Sequence, residues 1–277
     1  MPDKEIGIQD YAMFRDYLER QCGIVLGDNK QYLVRSRLSP LLRRFNIANL
    51  SLLITNVVNG RDRTLREAVI DAMTTNETLW FRDTYPFELL KSELLQKFKG
   101  RPGPLRIWSA ACSSGQEPYS IAMTILEFLQ RSPGAFPGGV QIVGTDISSD
   151  MLNRCKAAEY DNLSLSRGLS DERKRLFFEP TANGTMRLRS QVTNMVSFRP
   201  INLLDSYSSL GKFDIVFCRN VLIYFSAQLK TQILQQIAAG LNKEGILFLG
   251  ASESMSGLSD AFSMVRCNPG LYYLKKQ

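Results

Sequence analysis

The apolar run VQIVGTD ends on Asp146, and a carboxylate at the close of a buried strand can accept two hydrogen bonds from the hydroxyls of a ribose. Upstream, LRIWSAA passes through Cys112, Ser113, Ser114 and Gly115 into PYSIAMTILEFLQR. Such a strand, turn and helix with small residues at the turn builds a site beyond the carboxyl ends of a parallel sheet. The turn has one glycine instead of G-x-G-x-x-G and lacks the lysine of a phosphate-binding loop. A pyrophosphate ligand is therefore disfavoured, and an adenosine-type ligand without phosphates fits better. The chain contains no histidine among 277 residues, which excludes serine–histidine triads, cysteine–histidine pairs, H-E-x-x-H metal sites and imidazole bases. Its five cysteines, Cys22, Cys112, Cys155, Cys218 and Cys267, form no C-x-x-C pair and indicate neither a disulfide framework nor a zinc site.

The elements that must position these residues follow from the pattern of the chain. From Gly/Pro-rich GRPGP (100 to 104) onward, apolar runs alternate with helical stretches, the mark of an α/β domain. LRIWSAA and VQIVGTD read as buried parallel strands, and MVSFRPINLLD, FDIVFCRNVLIYF and GILFLGASES supply further strand candidates. LKTQILQQIAAGLN is the helix between the last two, and GLYYLKK reads as an edge strand closing the sheet. The interval before MVSFRP is too long for a simple connection, so a subdomain is inserted at about 175–197, where Asn183-Gly184 separates two strand-like runs as a hairpin.

Ahead of GRPGP, from Ile8 to Lys99, the pattern is helical. In NKQYLVRSRLSPLLRRF, Val34, Leu38, Leu41, Leu42 and Phe45 form an apolar stripe, while Lys30, Arg37 and Arg44 recur every seven residues beside it. Pro40 requires a kink there or two helices. The expected organisation is a helical domain over 1–75, a connecting segment over 76–104 and an α/β domain over 105–277. A net charge of +7 suits an acidic partner. The N-terminal MPDKEIGIQDYAMF has no apolar signal region and no run reaches the roughly 18 apolar residues of a spanning helix, so a cytoplasmic protein without membrane insertion is expected.

TNETLWFR (75 to 82), WSAACSSGQEPYSIA (108 to 122), GTDIS (144 to 148), INLLD (201 to 205), FDIVFCRNVLIYF (213 to 225) and GILFLGASES together resemble, in order and spacing, the CheR family of chemotaxis receptor methyltransferases. The resemblance implies an all-helical N-terminal domain and a doubly wound methyltransferase domain with a small antiparallel β-subdomain inserted. It implies transfer of a methyl group from S-adenosylmethionine to glutamate side chains of chemoreceptors, leaving S-adenosylhomocysteine, without a metal. On this basis Asn76, Thr78 and Arg82 reach the donor from the connecting segment, and Glu117 lies beside its amino acid. Asp146 holds the ribose, Asn202 and Leu203 flank the adenine, and Arg219 and Asn220 close the pocket. Arg82 and Tyr224 border the reacting methyl as the catalytic pair. Lys30, Arg35, Arg37, Arg43 and Arg44 dock the cytoplasmic domains of receptors in arrays at the membrane. The resemblance leaves room for a regulatory protein and none for nucleic acid.

Other readings of the same residues stand beside these. Ser114 and Glu117 form an S-x-x-E capping box, and Asp146 is placed to cap the helix after it. Tyr224 sits among apolar neighbours where packing is the default, Arg82 is a candidate surface ion pair, and the basic stripe is a candidate solvated face. For the whole chain, the alternatives are a nucleic-acid methyltransferase and a non-catalytic nucleotide-binding signalling module. The missing Pro-Pro-aromatic and Pro-Cys motifs speak against the first, and Arg82 with Tyr224 against the second.

Overall fold

The computed structural model describes residues 6–276. The first five residues and Gln277, at the outer ends of the two expected domains and including the start of MPDKEIGIQDYAMF, lie outside the described residues. Four helices come first: α1 (Ile8–Cys22), α2 (Gln31–Arg44), α3 (Leu50–Asn59) and α4 (Arg63–Met73). They close around Phe14, Leu18, Val34, Leu38, Leu53 and Val57, all without solvent exposure. Asn49 and Asp62 cap α3 and α4, accepting from Leu52 N at 2.8 Å and Leu65 N at 3.1 Å. Of the two outcomes expected at Pro40, division into two helices does not occur, and α2 runs as one element through it. Pro40 and Ser36 are both exposed, so the carbonyl that loses its helical donor meets water, and Ser39 Oγ donates to Arg35 O in the same turn.

The helical reading also fails between residues 74 and 84, which form a strap without regular structure. Helix resumes as α5 (Tyr85–Leu89), with Pro86 in its first turn, then a π-helical turn (Leu90–Leu94) and α6 (Leu95–Lys97).

The α/β domain follows in the order β1 (Leu105–Ala110), α7 (Gln116–Arg131), β2 (Val140–Asp146), α8 (Ser149–Ala157), then the insertion, then β6 (Val196–Pro200), β7 (Phe213–Cys218), α12 (Ala227–Gly240), β8 (Leu241–Phe248), β9 (Phe262–Cys267) and β10 (Gly270–Lys275). The insertion contains β3 (Glu159–Tyr160), α9 (Asn162–Ser166), α10 (Asp171–Phe177), β4 (Phe178–Pro180), β5 (Met186–Leu188) and α11 (Ser190–Thr193). The main sheet has the order β6-β2-β1-β7-β8-β10-β9, parallel from β6 to β8 and antiparallel thereafter. Ile107, Ile215 and Phe217 face one core with α7, while Trp108, Val216 and Leu247 face another with α12. Helices thus cover both faces, as in a doubly wound fold.

GLYYLKK is not the edge expected of it. It forms β10, with Tyr272 in one core and Tyr273 in the other, and the edge is β9. AFSMVRC escaped sequence reading because Ser263, Met264 and Arg266 are exposed and leave little apolar signal. The hairpin at Asn183-Gly184 exists, but five residues, 181–185, join β4 and β5, and Thr181 N donates to Thr185 O at 2.9 Å. Its sheet has the order β3-β5-β4, so the insertion begins near Glu159, well before residue 175. No helix among the described residues is long and apolar enough to cross a membrane.

Candidate active site

A cavity of about 290 Å³ opens at the carboxyl ends of β1, β2 and β7, near the lower limit of the roughly 300–1,000 Å³ of small-molecule sites. Asn76, Thr78, Arg82, Glu117, Asp146, Asn202, Leu203, Arg219, Asn220 and Tyr224 all line it. The N-terminal domain contributes Cys22 at the end of α1, Ile24, Val25, Leu26, Gly27 and Lys30 of the α1–α2 loop, and Arg37 of α2 to the lining. Val25 N donates to Tyr224 O at 3.0 Å and Asn202 Nδ2 donates to Gln21 O at 2.7 Å, so both domains share one wall.

The turn after β1 places the central groups. Gly115 caps α7 with φ of +94°, and a Cβ there would press on Cys155, Tyr119 and Tyr160 at 3.1 Å. The capping box does not form: Ser114 Oγ donates to Gln116 Oε1, and the Glu117 side chain turns away from the helix start. Glu117 Oε1 accepts from Ser109 Oγ at 2.8 Å and Oε2 accepts from Arg219 Nη1 at 2.8 Å. Arg219 also donates from Nη2 to Asp83 Oδ2 and to Arg82 O, both at 2.7 Å. Its side chain is only 1% exposed, and Nε has no protein partner. A buried guanidinium flanked by two carboxylates ties β7 to α7 and to the strap.

Asp146 is 6% exposed and does not cap α8, a task that Ser148 performs. Its Oδ2 accepts from Ser113 N at 2.8 Å and Oδ1 from Ser148 N at 2.9 Å. Each oxygen keeps acceptor capacity toward the cavity. Burial pushes the carboxyl above its ordinary range, opposed by hydrogen bonds from the backbone of Ser148, Ser113 and Ile147.

The strap supplies the third wall. Ser113 Oγ donates to Asn76 O at 2.9 Å, Asn76 Nδ2 donates to Thr74 Oγ1 at 3.1 Å, and Arg82 Nη1 donates to Glu77 O at 3.2 Å. Among the described residues, Phe81, Asp83, Thr84, Ala111, Ser113 and Asn220 are six of the nine non-glycine residues with positive φ. Backbone strain therefore gathers where strap, turn and β7 loop meet around the cavity.

Sequence reading missed three participants. Asp83 and Ser109 hold Arg219 and Glu117 as described. Glu253 is the third: its Oε2 accepts from Asn220 N and Gly250 N, each at 2.7 Å, shaping the loop that carries Asn220. Its signal was a lone acid in the Gly/Ser-rich end of GILFLGASES. Of the basic residues expected to dock a partner, Arg35, Arg43 and Arg44 are exposed on α2 outside the cavity lining. Arg37 departs from the stripe: it donates to Met73 O at 2.6 Å, Thr74 O at 3.2 Å and Thr75 Oγ1 at 3.0 Å, at the start of the strap.

Residues 76–271 match the CheR methyltransferase, SAM binding domain, and residues 9–74 match the CheR methyltransferase, all-alpha domain. The chain belongs to the CheR methyltransferase family. A chemotaxis protein methyltransferase of Vibrio parahaemolyticus is 60% identical over 98% of this chain and 98% of its own length. Another, from Pseudomonas aeruginosa, is 54% identical over 96% of this chain and 98% of its own. The Escherichia coli chemotaxis protein methyltransferase is 36% identical over 88% and 84%. The CheR resemblance carried by the motifs thus extends through both domains, and the chain is an S-adenosylmethionine-dependent methyltransferase.

The cavity suits the CheR donor chemically. Asp146 offers acceptors for vicinal hydroxyls, and Glu117 offers one for an ammonium. The buried Nε of Arg219 is an unused donor at the same wall.

Proposed function

We propose that the chain transfers the methyl group of S-adenosylmethionine to glutamate side chains in the cytoplasmic domains of chemoreceptors, giving glutamyl methyl esters. The observation that carries this reading is the single cavity in which Asp146, Glu117, Arg82 and Tyr224 meet without any imidazole. A glutamate carboxylate, with a free pKa near ~4.3, is already ionised at neutral pH and needs no base to become a nucleophile. When bound, S-adenosylmethionine supplies a methyl carbon activated by a sulfonium.

Asp146 accepts the ribose hydroxyls, Asn202 and Leu203 border the adenine, and Glu117 receives the amino group. Asn76 and Thr78 close the strap side, while Arg219 and Asn220 close the opposite wall. Arg82 and Tyr224 orient the receptor carboxylate and offset its desolvation by hydrogen bonding. The oxygen–carbon bond forms as the sulfur–carbon bond breaks, and the sulfur leaves as a neutral thioether, so no proton moves. Alignment and exclusion of water supply roughly 7–11 kcal/mol of the barrier. The apolar side chains of Ile24, Val25 and Leu26 in the lining serve that exclusion.

The exposed Arg35, Arg43 and Arg44, with Lys30, present positive charge to the acidic methylation helices of a receptor. Recruitment to receptor arrays at the membrane follows from that substrate, and we assign no surface to a regulatory protein. The test is methyl transfer from labelled donor to receptor-containing membranes. The expected product is a base-labile methyl ester on receptor glutamates. Labelling of nucleic acid instead, or of no substrate by a protein that binds the donor, would overturn the assignment.

A further inference from the structure

We infer that the inserted subdomain sets the donor site through the strap, and that Trp80 and Gly168 are positioning residues for methyl transfer. The inference rests on the donor reading above. Trp80 is fully buried, between Thr78 and Arg82 in the chain. Its ring lies edge-on to Tyr160 of β3 at 4.8 Å and to Phe178 of β4 at 5.5 Å. Two strands of the small sheet therefore grip a strap residue that lies outside the cavity lining, and they also set which way its neighbours face.

The backbone is held as firmly. Trp80 N donates to Arg167 O at 3.0 Å, and Gly168 follows with φ of +90°. A Cβ on Gly168 would lie 2.1 Å from Trp80 O, closer than any contact the two backbones could keep. On either side of this contact, Arg167 pairs with Glu77 at 2.9 Å and the Arg173 guanidinium lies 3.7 Å from the centre of the Phe81 ring. Arg173 is itself held by Glu127 of α7 at 2.7 Å. Trp80 and Phe81 thus face away from the cavity toward the insertion, Asn76, Thr78 and Arg82 line the cavity, and Glu77 does both, pairing with Arg167 at the cavity edge. The indole Nε1 has no protein partner, so packing rather than a side-chain hydrogen bond orients the Trp80 ring.

The test uses two glycines of the insertion. Gly168 and Gly184 both have positive φ, +90° and +75°, but the space beside Gly184 is empty. Alanine strains the backbone at each site and pushes on the strap at only one. S-adenosylhomocysteine binding by calorimetry is expected to weaken tenfold or more in Gly168→Ala and to stay within twofold of wild type in Gly184→Ala. In steady state, Gly168→Ala should raise the donor KM and lower kcat, with the receptor KM within twofold of wild type. Trp80→Phe, which loses ring volume but no hydrogen bond, should weaken donor binding less than Trp80→Leu, a rescue that general destabilisation would not give. If Gly168→Ala does not fold, the Trp80 pair and Arg173→Met carry the test, the latter expected to weaken donor binding at least threefold. Equal losses at the two glycines, or donor affinity unchanged in the Trp80 and Arg173 variants, would overturn the inference. Wild type that fails to bind S-adenosylhomocysteine would overturn the donor reading with it.

Discussion

At the scale of single residues, Asp146 combines a binding role with a cost in stability. Its carboxyl is raised above the ordinary value by burial, so the folded chain holds the proton more tightly than the unfolded chain. The stability this group contributes falls as pH rises from the ordinary carboxyl value through the raised one, and at neutral pH the ionised form is kept at a cost. Asp146→Ala should weaken S-adenosylmethionine and S-adenosylhomocysteine about ten- to a hundredfold, the equivalent of about 1.5–3 kcal/mol for hydrogen bonds to a charged acceptor. Calorimetry reads this directly. In wild type the same measurement should show donor affinity falling on acidification at a pH above the usual aspartate value of ~3.9. Tyr224, on a 3₁₀ turn (Leu222–Tyr224) in the cavity lining, is placed for a different effect. Tyr224→Phe should lower single-turnover rates on receptor several-fold more than it weakens the donor, whereas a packing residue would leave the rate unchanged.

Among the elements, α2 does two jobs on two faces. Val34, Leu38 and Leu41 bury against the helical core, and Arg37 reaches from the same helix to the end of α4 and the start of the strap. Arg37 satisfies carbonyls that a helix end leaves unpaired, so it joins the N-terminal domain to the donor wall. Arg37→Ala should therefore weaken donor binding about tenfold, matching the ~1.4 kcal/mol of a lost charged hydrogen bond. Binding of S-adenosylhomocysteine at wild-type strength would instead leave Arg37 to the receptor surface. The β-subdomain grips the middle of the strap, so 74–84 is held by α2 at its start, by the insertion at Glu77 to Phe81 and by Arg219 at Arg82 and Asp83.

For the whole molecule, the net charge of +7 matters through association rather than fold. Arg43 and Arg44 are exposed at the end of α2 and absent from the cavity lining. Reversing both to glutamate should raise the receptor KM several-fold and flatten its salt dependence while donor affinity stays at the wild-type value. Each such contact is worth about 0.2–1 kcal/mol, but together they steer encounter at low salt. Since the screening length shortens from about 10 Å at 0.1 M to about 3 Å at 1 M, wild-type methylation should decline across that range. Salt-independent methylation would place receptor recognition on another surface.

The sequence alone determined the alternation of β1, α7 and β2, the acid at the end of β2, the absence of imidazole chemistry and the family. These are local signals: apolar period, turn composition, and residue types whose chemistry does not depend on neighbours. The ten residues expected around the donor and the methyl were named from motifs far apart in the chain, and tertiary structure brought them to one cavity. It alone decided which face each group presents. Glu117 and Asp146 carry capping-compatible spacings, yet Ser109 and Arg219 draw one carboxylate away while the Ser113 amide, with Ser148 as the actual cap, holds the other. Arg37 belongs to a seven-residue repeat, but the carbonyls of Met73 and Thr74 lie within its reach only after α2 and α4 pack. β9 stayed hidden because an exposed edge strand needs little apolar sequence, and β10 read as an edge because partners of a strand are not written in it. The strap and its grip by Tyr160, Gly168 and Phe178 are contacts across about 80 to 100 residues of chain, and only the folded backbone supplies them.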